Sequence, residues 1–419
     1  MRVVTAERWF GAGKCLVRDV QTQETHLAAR LVPGEVAVVE QAGERWSAQW
    51  VATEIREPSP LRIAPDCKHY SEDCSGCSLL HVGFEEEQRY KRLLIVEVLQ
   101  RFAELTISPD AVFWLGPDRR FGDRTRTSLS VTEVDGKWVM GWRRLGGAPM
   151  RIESCPVLDA RLQALLPPLQ SELEAAPVIA GGSFQVHLWM ADAGPVQDNA
   201  SVDPDATPPE IFAATNSSGK VRTALTTALR GLGAQVLDME SMPWGQTAPS
   251  RAQFLYDWLQ TQVSKSGERV LDATCGTGAM TRIFARAGSS VVAVDAAWPA
   301  IVAAQAHPAQ QVLNDRVEFR GGLIATVLPR LVKGGARFET LLFNPMRETL
   351  GEITMRAAAE TGADRIIYIA PAPRAGAEDI GSLRRLGYEV TQVGAADMHP
   401  GTANVLMVVT MQRTALTAL

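Results

Sequence analysis

The chain has 419 residues with a formal net charge of −5, and 46% of its residues are apolar. This length predicts roughly two to four domains with a sizeable buried core. The slightly acidic balance excludes a global attraction to nucleic acid, so RNA binding would depend on local basic patches. The chain has no run of about 18 apolar residues and no apolar stretch near its start, which argues against a membrane span or a secretory signal. We therefore expect a cytoplasmic protein without a membrane partner, and a monomer.

Short β-rich runs separated by glycine- and proline-containing turns fill residues 1–56. The runs are Val3-Val4, Cys15–Val17, Val36–Val39 and Gln49–Val51. Such a pattern predicts a small five-stranded OB-like barrel, a fold that often binds RNA. Lys14, Arg18 and Arg30 are candidates for its binding face.

A cluster of cysteines opens the central region, which we place at residues 57–245. Cys67, Cys74 and Cys77 lie within eleven residues, and Cys155 follows much later. In a chain without an export signal, such crowding indicates metal binding rather than disulfides. Four thiolates can hold a zinc ion or a [4Fe–4S] cluster, and spacing alone does not choose between the two.

The rest of the central region predicts an α+β domain. Residues 85–104 have helical periodicity, and one face carries Tyr90, Leu93, Leu94, Val98 and Phe102. Residues 121–129 and 138–144 alternate like strands of an antiparallel sheet. Candidates for phosphate contacts and base stacking on these strands are Arg124, Arg126, Arg143, Arg144, Trp138 and Trp142. Residues 193–209 predict a polar, proline-rich loop.

Strands and helices alternate through the last region, residues 246–419, and predict a doubly wound parallel sheet of seven strands. A buried strand ending at Asp272 runs into a turn containing Gly276 and Gly278, and the next strand ends at Asp295. Glycines let the backbone approach a ligand closely, and a carboxylate in this position can accept hydrogen bonds from ribose hydroxyls. The ligand is therefore expected at the carboxyl ends of these strands.

Three motifs resemble known families. The turn Asp272-x-x-x-Gly276-x-Gly278 is similar to that of S-adenosylmethionine-dependent methyltransferases. The segments 11–14, 31–35 and 57–60 resemble the TRAM domain of uracil-5 RNA methyltransferases. The cysteine motif is similar to the iron–sulfur motif of the same family, with Ser75 where the family usually carries glycine.

The resemblance implies an S-adenosylmethionine-dependent RNA methyltransferase that acts on rRNA or tRNA. It implies a [4Fe–4S] cluster rather than zinc on the four cysteines, and three parts: a TRAM-like barrel (1–56), a central iron–sulfur and RNA-binding domain (57–245) and a Rossmann-like methyltransferase domain (246–419). Its implied cofactor-binding residues are Gln246, Asp272, Gly276, Gly278, Asp295 and Asn344.

The catalytic segments depart from the family. Methylation of uracil carbon-5 needs a thiolate that adds to carbon-6 and a base that later removes the carbon-5 proton. Pro371 stands where the family has its cysteine nucleophile, and Leu406 stands where it has its glutamate base. The catalytic residues are therefore unknown. We expect a methyltransferase that modifies a different atom; the alternative is a catalytically silent RNA-binding, RNA chaperone or assembly protein that keeps the cluster.

Overall fold

A computed structural model describes residues 1–43, 49–122, 124–190, 211–236, 249–263 and 266–414. The chain folds as two compact units. The first comprises Met1–Gln88, Arg119–Pro249 and His399–Ala403, and the second comprises Arg89–Asp118, Ser250–Met398 and Asn404–Leu419. The predicted proline-rich loop and the predicted boundary at residues 245/246 lie outside the described residues. No helix in the described ranges is long and apolar enough to cross a membrane.

The strands and helices are numbered in chain order. The strands are β1 (Arg2–Phe10), β2 (Lys14–Asp19), β3 (Thr25–Ala29), β4 (Val36–Ala42), β5 (Gln49–Glu57), β6 (Val112–Leu115), β7 (Arg126–Val134), β8 (Lys137–Arg143), β9 (Pro149–Arg151), β10 (Ser183–Met190), β11 (Ile211–Thr215), β12 (Ala234–Val236), β13 (Arg269–Asp272), β14 (Ser290–Asp295), β15 (Val317–Gly321), β16 (Thr340–Phe343), β17 (Arg365–Ala370), β18 (Tyr388–Ala396) and β19 (Leu406–Arg413). The helices are α1 (Lys68–Ser71), α2 (Phe84–Ala103), α3 (Ala160–Ala164), α4 (Leu166–Ala175), α5 (Gly219–Gly231), α6 (Pro249–Thr261), α7 (Ala279–Arg286), α8 (Trp298–Ala306), α9 (Pro308–Gln311), α10 (Ile324–Lys333), α11 (Gly351–Glu360) and α12 (Pro373–Arg385).

The first unit begins with the predicted barrel, which is closed and has five strands in the order β1-β2-β3-β5-β4. Antiparallel pairing of β1 with β4 closes it. Val4, Cys15, Val17 and Ala37 are fully buried, because alternate residues of a strand point to the same side and fill the interior. A six-stranded sheet, β12-β11-β10-β7-β8-β9, follows in the same unit.

The second unit is built on an eight-stranded sheet in the order β15-β14-β13-β16-β17-β19-β18-β6. The seven predicted strands are all present, and β19 runs antiparallel between β17 and β18 as expected. The predicted strand number is nevertheless wrong. The short strand β6, from far upstream in the sequence, pairs in parallel with β18 and adds an eighth strand at the edge.

Both faces of this sheet are covered by apolar clusters. Val270 and Ile367 belong to one cluster, whereas their neighbours Leu271 and Ile366 belong to another. Successive residues of a strand point to opposite faces, so the two clusters lie on opposite sides of the sheet. This arrangement is typical of a doubly wound α/β fold and leaves the carboxyl ends of the parallel strands open for a ligand.

Helix α2 confirms the predicted helix, but its buried stripe differs from the predicted face. Tyr90 of the predicted face is buried, as are Lys91, Ile95, Leu99 and Ala103, whereas the other predicted residues, Leu93, Leu94, Val98 and Phe102, are only partly buried. Lys91 Nζ donates to Asp397 Oδ2 at 2.7 Å, and both side chains have no exposed surface. The ion pair explains why a charged residue occupies the inward face of the helix.

Replacing Lys91 with methionine should destabilise the second unit strongly. The change leaves the buried Asp397 carboxylate without this cation, which typically costs about 3–5 kcal/mol. Chemical denaturation of Lys91→Met should show this loss of the free energy of unfolding. The double variant Lys91→Met/Asp397→Leu should recover most of it, because both charges are then removed. Equal stability of the wild type and Lys91→Met would contradict the claim that the buried Asp397 depends on Lys91.

Candidate functional site

The glycine-rich turn joins β13 to α7 in the second unit. Gly276 has φ +53° and Gly278 has φ +76°, in the left-handed region that favours glycine. A Cβ at Gly278 would lie 3.4 Å from Ala304 Cβ and 3.2 Å from Arg282 Nη1, so the position is also crowded. The turn therefore depends on glycine at this point.

Asp272, the last residue of β13, stabilises the turn through a hydrogen bond to α7. Its carboxylate accepts a hydrogen bond from Thr281 Oγ1 at 2.6 Å, and the residue is 1% exposed. Burial raises the pKa of Asp272 to about 7, because the charged form loses its hydration. The hydrogen bond ties the end of β13 to the first turns of α7.

Cys275 is a packing residue of the turn. It is 8% exposed, and its backbone N–H donates to the carbonyl of Val294 at 2.9 Å. Burial, together with the carboxylates of Asp272 and Asp295, raises the pKa of the thiol. The thiol is therefore neutral at physiological pH, which disfavours it as a nucleophile.

Asp295 lies at the end of β14, beside the turn. Its Oδ2 accepts from the N–H of Gly276 and its Oδ1 from the N–H of Ala297, each at 2.8 Å. These two contacts fix the orientation of the carboxylate. Each carboxylate oxygen has a further lone pair, so Asp295 can still accept hydrogen bonds from two hydroxyls of a ligand.

Asn344 follows β16 at the same edge of the sheet. Its backbone N–H donates to Thr274 Oγ1 at 2.8 Å, which connects this strand end to the glycine-rich turn. Its side-chain Nδ2 lies 4.0 Å from the sulfur of Met280 and the residue is partly buried. The structure therefore brings Asp272, Gly276, Gly278, Asp295 and Asn344 to neighbouring strand ends. Gln246 lies outside the described residues.

The two positions expected to correspond to the family's nucleophile and base are neighbours. Ala370 of β17 pairs with Met407 of β19, so the next residues, Pro371 and Leu406, meet at the end of this strand pair. Pro371 is exposed, whereas Leu406 is 8% exposed and packs in an apolar cluster with Met398 and Val408. Neither side chain can add to a base or carry a proton.

The four cysteines of the motif line one cavity of about 160 Å³ in the first unit. Cys67 precedes α1, Cys74 and Cys77 follow it, and Cys155 lies after β9. Cys74 and Cys155 are buried. A backbone amide, that of Gly76, donates to Cys74 Sγ at 3.4 Å. The fold thus gathers all four predicted ligands around one space.

Burial is the main cause that raises the pKa values of Cys74, Cys77 and Cys155, and in each case neighbouring cysteines of the motif contribute. Metal binding would require these buried thiols to lose their protons.

No group of three or more His, Cys, Asp or Glu side chains in the described ranges is arranged to hold a metal ion. A single zinc ion requires its sulfur ligands about 2.3 Å from one point. A four-iron cluster brings its own sulfides and bridges thiolates that stand further apart. Four thiols around one cavity are a donor set that either zinc or a [4Fe–4S] cluster can use.

Several expected RNA-contacting residues have structural roles instead. Trp138 is 2% exposed, donates from Nε1 to the carbonyl of Pro177 at 3.1 Å and packs edge-on against Phe184. The expectation that it stacks a base is therefore wrong. Arg30 lies 4.0 Å over the ring of Tyr70 and donates to the carbonyl of Cys74 at 3.1 Å, so it holds the cysteine segment.

Other candidates remain closer to solvent. Arg143 is exposed and donates to the carbonyl of Gly147 at 3.0 Å, and Arg144 contacts the carbonyl of Glu72. Trp142 is partly buried, donates to the carbonyl of Ser128 at 3.2 Å and lines the cysteine cavity. Sequence reasoning missed His69, which also lines this cavity; the signal was its place two residues after Cys67.

Comparisons with known proteins agree with this architecture. The chain is 26% identical over 400 residues to a 23S rRNA (uracil(1939)-C(5))-methyltransferase of Vibrio parahaemolyticus, covering 89% of this chain and 88% of the relative. It is 26% identical over 425 residues to the enzyme of the same name from Edwardsiella ictaluri, covering 96% and 94%. No family model matches the chain.

A solved structure shares the fold over nearly the whole length. The Pyrococcus abyssi tRNA (uracil-54, C5)-methyltransferase in complex with S-adenosyl-L-homocysteine aligns with a TM-score of 0.70 and 19% identity, over 97% of this chain and 99% of that one. The doubly wound sheet, its glycine-rich turn and this alignment define a protein of the methyltransferase fold class. Along its length the chain is also similar, at 26% identity, to relatives named as uracil-C5 rRNA methyltransferases.

Proposed function

We propose that this chain is an S-adenosylmethionine-dependent RNA methyltransferase that acts on rRNA or tRNA without the covalent route of its family. The proposal rests on the residues at the carboxyl ends of the strands in the second unit. The glycine-rich turn and the fixed carboxylate of Asp295 support cofactor binding there, and the neighbouring Pro371 and Leu406, at the positions expected for the family's nucleophile and base, support the loss of the covalent route.

S-adenosylmethionine would bind at the carboxyl ends of β13, β14 and β16. Asp295 would accept hydrogen bonds from the ribose hydroxyls, since its orientation is already fixed by two backbone amides. The backbone around Gly276 and Gly278 would face the methionine part at the start of α7. Asp272 would support the turn, and Asn344 and Gln246 would complete the contacts. The bound cofactor supplies an electrophilic methyl group.

The target atom must be nucleophilic without activation by the enzyme. Carbon-5 of uracil becomes nucleophilic only after a thiolate adds to carbon-6, and this site offers no thiolate. An exocyclic amine or a hydroxyl needs only positioning and removal of a proton. Asn344 offers an amide oxygen that can accept a hydrogen bond from such an amine. We therefore favour a base amine or a hydroxyl as the substrate group.

The four cysteines would hold a [4Fe–4S] cluster with a structural role. Cys67, Cys74, Cys77 and Cys155 come from two segments far apart in the sequence, so a common metal group would crosslink them. RNA would be bound by the TRAM-like barrel (1–56) and the central domain (57–245), and the cofactor by the last domain (246–419). We expect the protein to be a monomer and to lie in the cytoplasm, where rRNA and tRNA are found.

A catalytically silent RNA-binding or assembly protein is the second candidate. It is favoured by the apolar surroundings of Leu406, which leave no acid or base at that position. The two candidates differ in methyl transfer, because only the first moves label from the cofactor to RNA.

Replacing Asp295 with alanine should weaken cofactor binding. Two ribose hydroxyls would lose their acceptor, a loss of about 1–3 kcal/mol, or roughly a 5- to 150-fold higher Kd. Titration calorimetry with S-adenosylmethionine measures this directly. Glu318→Ala is a matched control, since it removes an exposed carboxylate from the neighbouring strand β15. A wild-type protein that binds no S-adenosylmethionine would overturn the methyltransferase proposal.

A further inference from the structure

We infer that His69 donates a hydrogen bond from Nε2 to a sulfur of the metal group held by the four cysteines. The inference rests on the cluster proposed above and names a residue outside the cysteine motif. His69 is 5% exposed and lines the same cavity as Cys67, Cys74, Cys77 and Cys155. It would be a positioning and tuning residue rather than a metal ligand.

The two ring nitrogens of His69 have different surroundings. Nδ1 lies 3.2 Å from Oε2 of Glu72, whose side chain is half exposed. Nε2 is buried and has no hydrogen-bond partner within the part of the chain that the structure describes. A buried polar nitrogen without a partner is costly and rare in native proteins, so its occurrence beside a cavity indicates a missing group.

Two polar neighbours in the cavity have partners of their own. The hydroxyl of Tyr70 is hydrogen-bonded to Nδ1 of His81 at 2.5 Å, and Arg124 donates from Nε to the carbonyl of Arg126. The other acceptors among the lining side chains are the cysteine sulfurs and the hydroxyl of Ser154. Of these, the sulfurs are the group that we place against His69 Nε2, because four of them line the space.

Chemistry favours the donor role over ligation. Four cysteines fill the four protein positions of a [4Fe–4S] cluster, so a fifth ligand has no iron to bind. The sulfur atoms are acceptors, so Nε2 is the ring nitrogen that would carry the donated N–H in the loaded state. A donor to cluster sulfur stabilises the more negative, reduced cluster and raises its reduction potential.

The test compares three variants purified under argon, each with its iron content, visible spectrum and reduction potential. His69→Leu removes the donor while keeping an apolar side chain of similar reach. His69→Gln restores an N–H donor. Leu80→Ile is the control, because Leu80 lines the same cavity, is 1% exposed and has no polar atom.

We expect His69→Leu to lower the potential by the equivalent of a tenfold change in the reduction equilibrium, about 59 mV for one electron. Leu80→Ile should match the wild type, and His69→Gln should recover most of the shift. Loss of iron from His69→Leu together with full iron in His69→Gln would support the same contact. An unchanged potential in fully loaded His69→Leu would overturn the inference, since Nε2 would then be satisfied by water.

A wild-type protein that contains zinc, or no metal, would overturn both this inference and the proposed cluster. Titration calorimetry with S-adenosylmethionine tests the methyltransferase proposal separately, because it measures cofactor binding rather than metal content. The cysteine cavity lies in the first unit, whereas the cofactor-binding edge lies in the second.

Discussion

RNA that contains 5-fluorouridine is expected to form no covalent adduct with the wild-type protein. In the family, fluorine at carbon-5 blocks the proton removal that would release the thiolate, so the adduct persists. Here Pro371 has no nucleophilic atom, and Cys275 is a buried thiol within the glycine-rich turn. The residues of such a route act as a unit, so the loss of the nucleophile and the base removes the whole route.

A denaturing gel of protein mixed with fluorouridine-substituted rRNA or tRNA provides the measurement. A uracil-5 methyltransferase that keeps its cysteine serves as the positive control and should give a band shifted by the mass of the RNA. A shifted band with the wild-type protein would show that a nucleophile exists at a position other than Pro371.

Restoring both family residues should not rescue the route. Leu406→Glu places a carboxylate in an apolar cluster without a partner, which costs several kcal/mol or forces the group to stay neutral. The double variant Pro371→Cys/Leu406→Glu should therefore be less stable than the wild type and remain inactive on uracil. Leu406→Met is the matched control, because it keeps an apolar side chain of similar volume and should change the stability little.

The second large effect is expected in the iron content of the protein. Protein purified under argon should be brown and contain about four irons per chain, the stoichiometry of a [4Fe–4S] cluster. Cys155→Ser should lose the iron and become insoluble or sensitive to proteases, because its segment is no longer tied to the segment of Cys67, Cys74 and Cys77. Metal analysis and limited proteolysis measure both effects.

Cys15→Ala is the control for this experiment. Cys15 is a buried thiol in the barrel that donates to the carbonyl of Leu31, and it does not line the cysteine cavity. This variant should keep its full iron content. One zinc and no iron in the wild type, or full iron in Cys155→Ser, would contradict the cluster.

Patterns local in sequence predicted most of the fold. The glycine-rich turn and the strand ends at Asp272 and Asp295 follow from a buried run, two glycines and a carboxylate, all within thirty residues. The closed barrel and the seven strands of the main sheet follow from short β-rich runs and from strand–helix alternation. These features depend on residues close together in the chain, which is why periodicity detects them.

Features that depend on distant partners were not predictable in this way. Lys91 looks like a solvent-facing residue of α2, because its partner Asp397 is more than 300 positions away. Strand β6 has four residues and becomes a strand only by pairing with β18. Trp138 appears suited to stacking a base until its burial against Phe184 is known. The buried Nε2 of His69 likewise has no signature in the sequence.

The most direct test of the central claim is the identity of the methylated nucleoside. Purified protein is incubated with rRNA and tRNA and with S-adenosylmethionine labelled in its methyl group, and the RNA is then digested for nucleoside mass spectrometry. We expect the label in a nucleoside methylated on a base amine or a hydroxyl, and none in 5-methyluridine. Label in 5-methyluridine would contradict the account, because the site around Pro371 and Leu406 would then perform the carbon-5 chemistry that we exclude.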